Sequence, residues 1–316
     1  MTDAPASNNG PGSPDDNGRL MRLASYVAVS VALVLIAAKL GAWLLTGSVA
    51  LLSSLIDSVL DAFASIVALV AIRQALTPAD KEHRFGHGKA EPIAALGQAA
   101  FIVGSALFLS VEAVRRLWSP QPVGQQEIGI AVMVFSILVT LALVAFQAHV
   151  IRRTGSLVVS ADSLHYKGDL LINLSIIASL VLTGWFDFPL ADPVFALGIA
   201  AYLLWNAKGI GGEALDMLMD RELPDEERQT ILALARAHSG VLGVHDLRTR
   251  AAGPIRFIQM HLELDGDTRL AEAHAIADAV EAEIEAAFPG ADVIVHQDPH
   301  GIPDAPREPN PPAGAA

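Results

Sequence analysis

The feature of this sequence that most constrains its fold is a series of six long apolar segments, each about as long as a membrane-spanning helix. A helix needs about 20 consecutive apolar residues to cross the hydrocarbon core of a bilayer. The segments lie at residues 22–45, 48–72, 90–117, 126–150, 157–184 and 190–212. Because 52% of the 316 residues are hydrophobic, the chain is too apolar for an ordinary soluble domain. The sequence therefore predicts an α-helical membrane protein with six transmembrane helices in a lipid bilayer.

Basic residues predict which side of the membrane faces the cytoplasm, because Lys and Arg concentrate in cytoplasmic loops. Most basic residues near the ends of the spans fall on one side, which we take to be the cytoplasm. They are Arg19, Arg22, Arg73, Lys81, Arg84, Lys89, Arg152, Arg153, Lys208 and Arg221. The loops on the opposite side carry only Arg115 and Arg116. We therefore expect both termini in the cytoplasm, as an even number of spans requires.

After residue 212 the sequence takes on the patterns of a soluble domain. LPDEERQTILALARAH predicts a helix, VHDLRTRA and IRFIQMHLELD two strands, TRLAEAHAIADAVEAEIEAAF a second helix, and ADVIVHQD a third strand. This order predicts an α+β domain whose strands pack against helices. We place a disordered tail at 1–20, the transmembrane domain at 21–212, the soluble domain at 213–300 and a second tail at 301–316, since both tails are rich in Pro, Gly and polar residues.

Charge and cysteine content exclude several functions. The formal net charge is −13 and most of it belongs to the soluble parts, which argues against a nucleic-acid partner, because binding a phosphate backbone requires basic surfaces. The chain has no cysteine. Any metal site must therefore use His, Asp and Glu as ligands.

Charged residues inside the second and fifth spans are the main functional feature. Asp57 and Asp61 are four residues apart on the second span. His165 and Asp169 repeat that spacing on the fifth, so each pair lies on one face of its helix. A carboxylate inside a bilayer is unfavourable unless it is paired or lines a cavity. Three carboxylates and one imidazole supply the four ligands that a tetrahedral Zn²⁺ takes. The pattern predicts a shared metal site; mutual pairing of the four side chains is the alternative.

Two further groups of residues are candidate metal ligands. Asp80, His83 and His87 lie at spacing i, i+3 and i+7 between the second and third spans, where solvated loop histidines are the alternative. In the soluble domain, His296 and Asp298 share one face of a predicted strand because side chains alternate. The scattered candidates of that domain are His245, His261, His274, His296 and Asp298.

A set of motifs resembles the cation diffusion facilitator family, and within it the bacterial YiiP-type zinc and ferrous-iron efflux branch. The motifs are DSVLD, HRFGHGKAEP, RRTGSLVVSADSLHYKGD, LDMLMDRELPDEER, HDLRTR and VIVHQDP. The resemblance covers nearly the whole chain outside the tails. It implies a homodimer in the bacterial cytoplasmic (inner) membrane with a ferredoxin-like, metallochaperone-like cytoplasmic domain. It also implies the exchange of cytoplasmic metal ions for external protons.

The resemblance implies roles for individual residues. The family's transport site falls on Asp57, Asp61, His165 and Asp169, its loop site on Asp80, His83 and His87, and its cytoplasmic binuclear site on His245, His261, His274, His296 and Asp298. Lys89 and Asp220 match a charge interlock between subunits, and Leu164 is a candidate apolar gate. His300 follows the QDP motif as a departure from close relatives, and it could add a ligand or have no role.

The expected cargo is Zn²⁺, with Cd²⁺ and Fe²⁺ as further ions, because relatives with a histidine in the fifth-span pair favour zinc and cadmium. The expected mechanism is alternating access with protons as the counter-ion, so the chain is not expected to be an enzyme. An intramembrane metalloenzyme is one alternative, although HExxH is absent and four ligands leave no open position for water. A non-transporting metal sensor is the other, and it predicts that Asp57 is dispensable.

Overall fold

The protein consists of a bundle of long helices followed by a small domain with a three-stranded sheet. The structure is a computed structural model and describes residues 14–47, 49–118, 127–186 and 190–302. The chain divides into two units, one reaching to Arg221 together with Ala252–Pro254, the other comprising Glu222–Ala251 and the residues from Ile255 onward. Residues 1–13 and 303–316 of the two predicted tails lie outside the described residues.

Each predicted span corresponds to one long helix. The helices are α1 (Pro14–Thr46), α2 (Val49–Ala75), α3 (Ala90–Trp118), α4 (Glu127–Thr154), α5 (Leu157–Phe186) and α6 (Ala191–Leu218). Among the described residues, five of them are apolar enough to cross a membrane by length and composition alone, and α5 is not one of these. The predicted helical membrane domain is confirmed.

Two boundaries differ from those expected. Helix α1 begins at Pro14, inside the predicted tail, because proline suits the first helical position and the acidic Asp16 favours a helix N-terminus. Helix α6 continues past Gly211 and Gly212 to Leu218, so the expected boundary after residue 212 falls inside it. A Cβ on Gly211 would lie 3.8 Å from the Ala99 side chain of α3, an ordinary van der Waals distance, so the packing at this position does not require glycine.

The small domain has the predicted order of helix, strand, strand, helix and strand. Its elements are α7 (Asp225–Ala237), β1 (Gly243–Ala252), β2 (Ile255–Leu264), α8 (Leu270–Ala287) and β3 (Asp292–Pro299). The sheet order is β1-β2-β3, and β2 pairs in parallel with β3. Helix α8 is the crossover that a parallel pair requires. The predicted α+β domain is confirmed.

Alternation along β2 separates the core of this domain from its candidate metal ligands. Ile258, Met260 and Leu262 are buried and pack with apolar residues of α7 and α8. Side chains alternate along a strand, so His261 and Glu263 point to the opposite face. Burying the even-numbered positions therefore places polar side chains together on the free face of the sheet.

Candidate metal centres

The first candidate centre lies between α2 and α5. The Nε2 atom of His165 lies 2.7 Å from Oδ1 of Asp61 and 3.8 Å from Oδ2 of Asp169. These three residues offer ligand atoms that all lie within 4.8 Å of one another. Asp57 lines the same cavity, one helical turn before Asp61, without belonging to that group of three. The structure thus brings three predicted ligands together and places the fourth in the cavity wall.

The cavity at this centre explains how carboxylates are tolerated inside the helix bundle. It has a volume of about 680 Å³ and is bordered by side chains of α1, α2, α3, α4, α5 and α6. Apolar side chains such as Phe101 and Leu203 line it beside the four predicted ligands. Intramembrane charges are typically found facing an internal cavity rather than lipid. The space is sufficient for a cation that retains some of its water.

Lys39 of α1 also lines this cavity, and it was not predicted from the sequence. Its Nζ donates hydrogen bonds to Ser58 Oγ at 2.6 Å and to the carbonyl oxygen of Ser54 at 3.2 Å. It shares the cavity lining with the carboxylates of Asp57, Asp61 and Asp169. A resident ammonium group partly offsets the repulsion among three carboxylates and opposes the entry of another cation. A lone lysine within an apolar span is the sequence feature that could have identified it.

Asp162 of α5 is a buried carboxylate beside this centre rather than part of it. Its oxygens accept hydrogen bonds from Ser65 Oγ on α2 at 3.0 Å and from Gln147 Nε2 on α4 at 2.7 Å. The hydroxyl of Tyr166 lies 2.9 Å from Ser65 Oγ. Because Asp162 is only 3% exposed and both its oxygens are hydrogen-bonded, it ties three helices together. This network fixes the turn of α5 that carries His165.

Leu164 is buried beside the first centre. It packs in an apolar cluster with Ile102 of α3 and with Ile199 and Leu203 of α6. Such a position is compatible with a gate, and equally with ordinary packing between helices. The gate assignment stays a prediction.

The second candidate centre lies between α2 and α3. The carboxylate of Asp80 lies 3.4 Å from Nδ1 of His83 and 3.5 Å from Nε2 of His87. Its Oδ1 also accepts hydrogen bonds from the backbone N–H groups of His83 and Glu82. These backbone hydrogen bonds, that of His83 first, hold the pKa of Asp80 below its usual value. The three predicted loop residues therefore form a group with an ionised carboxylate at its centre.

Lys89 and Asp220, expected to form a charge interlock between subunits, are paired within one chain. Lys89 Nζ lies 2.9 Å from Oδ1 of Asp220 and donates to the carbonyl oxygen of Leu218 at 3.4 Å. Asp220 lies two residues after the end of α6 and has a positive φ of 57°. The pair joins the start of α3 to the end of α6. A contact across a dimer interface stays a prediction.

The third candidate centre lies on the free face of the small sheet around Asp298. Its Oδ2 lies 2.6 Å from Nδ1 of His261 and 3.4 Å from Nε2 of His245. Its Oδ1 lies 3.1 Å from Nε2 of His296. The parallel register places His261 beside His296 and Glu263 beside Asp298. Three imidazoles thus contact the two oxygens of one carboxylate.

His274 does not join this group within the chain. It lies on α8, its side chain is 70% exposed, and its Nδ1 lies 3.4 Å from Oδ1 of Asp278. The resemblance places it in a site that bridges two subunits. Its role as a ligand stays a prediction.

Glu263 and His300 adjoin the third centre. One oxygen of Glu263 lies 3.0 Å from Nδ1 of His245, and the other lies 2.7 Å from Nδ1 of His300. The hydrogen bond from His300, followed by that from His245, holds the pKa of Glu263 below its usual value. Glu263 was not predicted. Its spacing of two residues from His261 on the same strand face is the sequence feature that could have identified it.

The fold and these three groups define a multi-pass membrane protein with candidate metal centres in both of its units. Residues 25–219 match the family described as the cation efflux transmembrane domain. Residues 223–300 match the family described as the cation efflux protein, cytoplasmic domain. The chain therefore belongs to the cation efflux family.

Curated relatives extend this similarity over almost the whole chain. It is 48% identical over 285 residues to a cation-efflux pump FieF of Klebsiella pneumoniae subsp. pneumoniae, covering 90% of this chain and 95% of that protein. It is 49% identical over 287 residues to the cation-efflux pump FieF of Cronobacter sakazakii, covering 91% of this chain and 95% of that protein. Both relatives thus span the membrane unit and the small domain.

The position of Lys39 leads to a prediction about metal affinity. In Lys39→Met, loss of the resident positive charge should strengthen Zn²⁺ binding at the first centre by roughly tenfold, equivalent to about 1.4 kcal/mol. Lys39→Arg keeps the charge and serves as the matched control, with affinity close to that of the parent. Competition with a zinc-chelating dye measures both. Unchanged or weaker binding in the Met variant would show that this charge does not act on the site.

Proposed function

We propose that this protein exports divalent transition-metal ions, with Zn²⁺ as the main cargo and Cd²⁺ and Fe²⁺ as further ones, in exchange for protons. The observation that carries the proposal is the convergence of Asp61, His165 and Asp169 from two helices on a cavity that Asp57 also lines. Membership of the cation efflux family supports a transporter rather than an enzyme. The similarity to proteins named cation-efflux pumps supports the direction of transport.

The ligand types favour zinc among the possible cargoes. Three carboxylates and one imidazole provide the four oxygen and nitrogen donors of a tetrahedral zinc site. An imidazole suits zinc and its neighbours in the transition series, whereas purely oxygen-lined sites suit magnesium, calcium and manganese. His165 is therefore the proposed determinant of metal selectivity.

Proton exchange follows from the chemistry of the same ligands. Carboxylate and imidazole groups must be deprotonated to hold a metal ion, so metal binding releases protons and protonation releases the metal. In the proposed cycle, a metal ion enters from the cytoplasm, the helices rearrange, and external protons displace it. Leu164, buried against α3 and α6, is proposed as an apolar gate in this rearrangement.

The proposed setting is a homodimer in the bacterial inner membrane with both termini and the small domain in the cytoplasm. The distribution of Lys and Arg at the ends of the helices supports this orientation. The match of residues 223–300 to a family described as a cytoplasmic domain supports it independently. We propose that in the dimer Lys89 and Asp220, which pair within one chain in this structure, exchange partners to form a charge interlock between subunits.

The two other centres are proposed to bind metal without being the transport path. Asp80, His83 and His87 form a loop site near the ends of α2 and α3. His245, His261, His296 and Asp298 form a regulatory binuclear site, to which His274 contributes across the dimer. Cytoplasmic zinc bound there would favour the dimer form that binds it more tightly.

Removing one transport ligand should abolish transport. Asp61→Asn or Asp169→Asn keeps the size of the side chain but removes a charge needed to offset dehydration of the ion, so we expect zinc flux to fall at least roughly 100-fold. Glu112→Gln, which changes a carboxylate of α3 away from the cavity, is the matched control and should retain flux. Zinc uptake into proteoliposomes measures the effect. Parent-like flux in either aspartate variant would refute the site.

Replacing the imidazole should change selectivity. In His165→Asp, an all-oxygen ligand set should shift the preference from Zn²⁺ toward Mn²⁺, because harder ions prefer oxygen donors. His165→Asn removes the imidazole without adding a charge and should lose zinc transport without gaining manganese transport. The ratio of Zn²⁺ to Mn²⁺ uptake in proteoliposomes distinguishes these outcomes. An unchanged ratio in the Asp variant would contradict the role of His165.

A further inference from the structure

We propose that Glu263, held in place by His300, is a positioning residue that orients His245 for metal binding at the third centre. The inference rests on the proposed metal site around Asp298. Glu263 and His300 adjoin this site but are not among its proposed ligands.

The carboxylate of Glu263 bridges two imidazoles. Its Oε1 lies 3.0 Å from Nδ1 of His245, and its Oε2 lies 2.7 Å from Nδ1 of His300. The opposite nitrogen of His245, Nε2, lies 3.4 Å from Oδ2 of Asp298. The imidazole of His245 therefore lies between two carboxylates, with Nδ1 facing Glu263 and Nε2 facing Asp298.

The contact between Glu263 and Nδ1 determines which nitrogen of His245 can bind a metal ion. A neutral imidazole has one nitrogen that donates and one that accepts. When Nδ1–H donates to Glu263, the lone pair of Nε2 points toward Asp298 and can bind a metal ion there. Metal-binding histidines commonly donate their other N–H to a carboxylate, which fixes the tautomer and the ring orientation and raises the basicity of the ligand.

His300 restrains the second oxygen of Glu263. The backbone N–H of His300 donates to the carbonyl oxygen of Leu264 at 2.7 Å, so the residue is fixed to the end of β2 just after β3 ends. Its Nδ1 lies 2.7 Å from Oε2 of Glu263. This contact restrains the carboxylate from rotating away from His245.

The adjacent strand leaves room for this carboxylate. A Cβ added to Gly243 at the start of β1 would lie 2.9 Å from both Cδ and Oε2 of Glu263. That distance is shorter than real Cβ contacts, so any larger residue would displace the carboxylate. The backbone N–H of Leu242 donates to the carbonyl oxygen of Glu263 at 2.8 Å. The main chain of Glu263 is thus fixed by the same segment that leaves space for its side chain.

The first test measures zinc affinity at the third centre in the full-length dimer. A background carrying Asp61→Ala and His83→Ala removes the other two centres from the titration. In this background, Glu263→Gln keeps the side-chain size and one acceptor oxygen, and we expect the zinc dissociation constant to rise roughly 10- to 100-fold. The number of zinc ions bound per chain should stay the same. Glu285→Gln on α8 is the matched control and should bind zinc like the background. Parent-like affinity in Glu263→Gln would overturn the proposal.

The second test separates positioning by His300 from direct ligation. His300→Ala should weaken zinc binding several-fold at unchanged stoichiometry. The double variant Glu263→Gln with His300→Ala should be no weaker than Glu263→Gln alone, because both act through one path. Loss of one zinc ion per chain in His300→Ala would make His300 a ligand, and additive effects would give it an independent role. Either result would overturn the proposal.

The third test excludes a merely structural effect. Gly243→Ala displaces the carboxylate while leaving both Glu263 and His300 in the chain. We expect it and Glu263→Gln to change the visible absorption of bound Co²⁺, which reports coordination geometry, while the metal-free melting temperature stays that of the background. A Co²⁺ spectrum identical to that of the background in both variants would overturn the proposal.

A variant that lacks two proposed ligands separates the role of Glu263 from the existence of the metal site. His261→Ala with Asp298→Ala removes two proposed ligands and should abolish zinc binding in the same background. If that variant still binds zinc like the background, the metal site itself is refuted. If it loses zinc while Glu263→Gln does not, only the role of Glu263 is refuted.

Discussion

The main energetic constraint on the helix bundle is the unfavourable free energy of placing several carboxylates inside a membrane. Asp57, Asp61 and Asp169 repel one another, and none of them can be solvated by lipid. The bundle meets this constraint with a cavity, an imidazole 2.7 Å from Asp61, and a lysine that lines the same cavity. A divalent cation in the cavity would offset the same repulsion more strongly.

The small domain also groups a carboxylate with imidazoles, but it does so on a β-sheet. There the carboxylate of Asp298 is surrounded by three imidazoles on one face of a sheet whose other face forms the core. Strand alternation and the parallel register of β2 with β3 bring these residues together from distant positions. In the membrane unit the same result comes from four-residue spacing on two helices. In each unit the period of the secondary structure thus brings the candidate ligands together.

Much of this arrangement could be predicted from the sequence. Six apolar segments and the alternating patterns of the last third predicted the helices and the order of the small domain, because both depend on local periodicity. The matched pairs on the second and fifth spans predicted a shared site. Lys39 and Asp162 were missed because each is a single charged residue that acts on other helices and has no period of its own. Glu263 shares a strand face with His261, but its partners His245 and His300 come from outside β2, so the sequence did not show their contact. Gly211 and Gly212 suggested a helix end, whereas tertiary packing continues α6 through them.

The central claim is that metal movement through the cavity is coupled to opposite proton movement. The most direct test reconstitutes the purified protein in liposomes that contain a pH-sensitive dye and adds Zn²⁺ outside. The account predicts that Zn²⁺ entry makes the lumen more alkaline, with a rate that depends on the zinc concentration, and that Mg²⁺ has no such effect. Zinc entry without a change in lumenal pH, or no zinc entry at all, would contradict it.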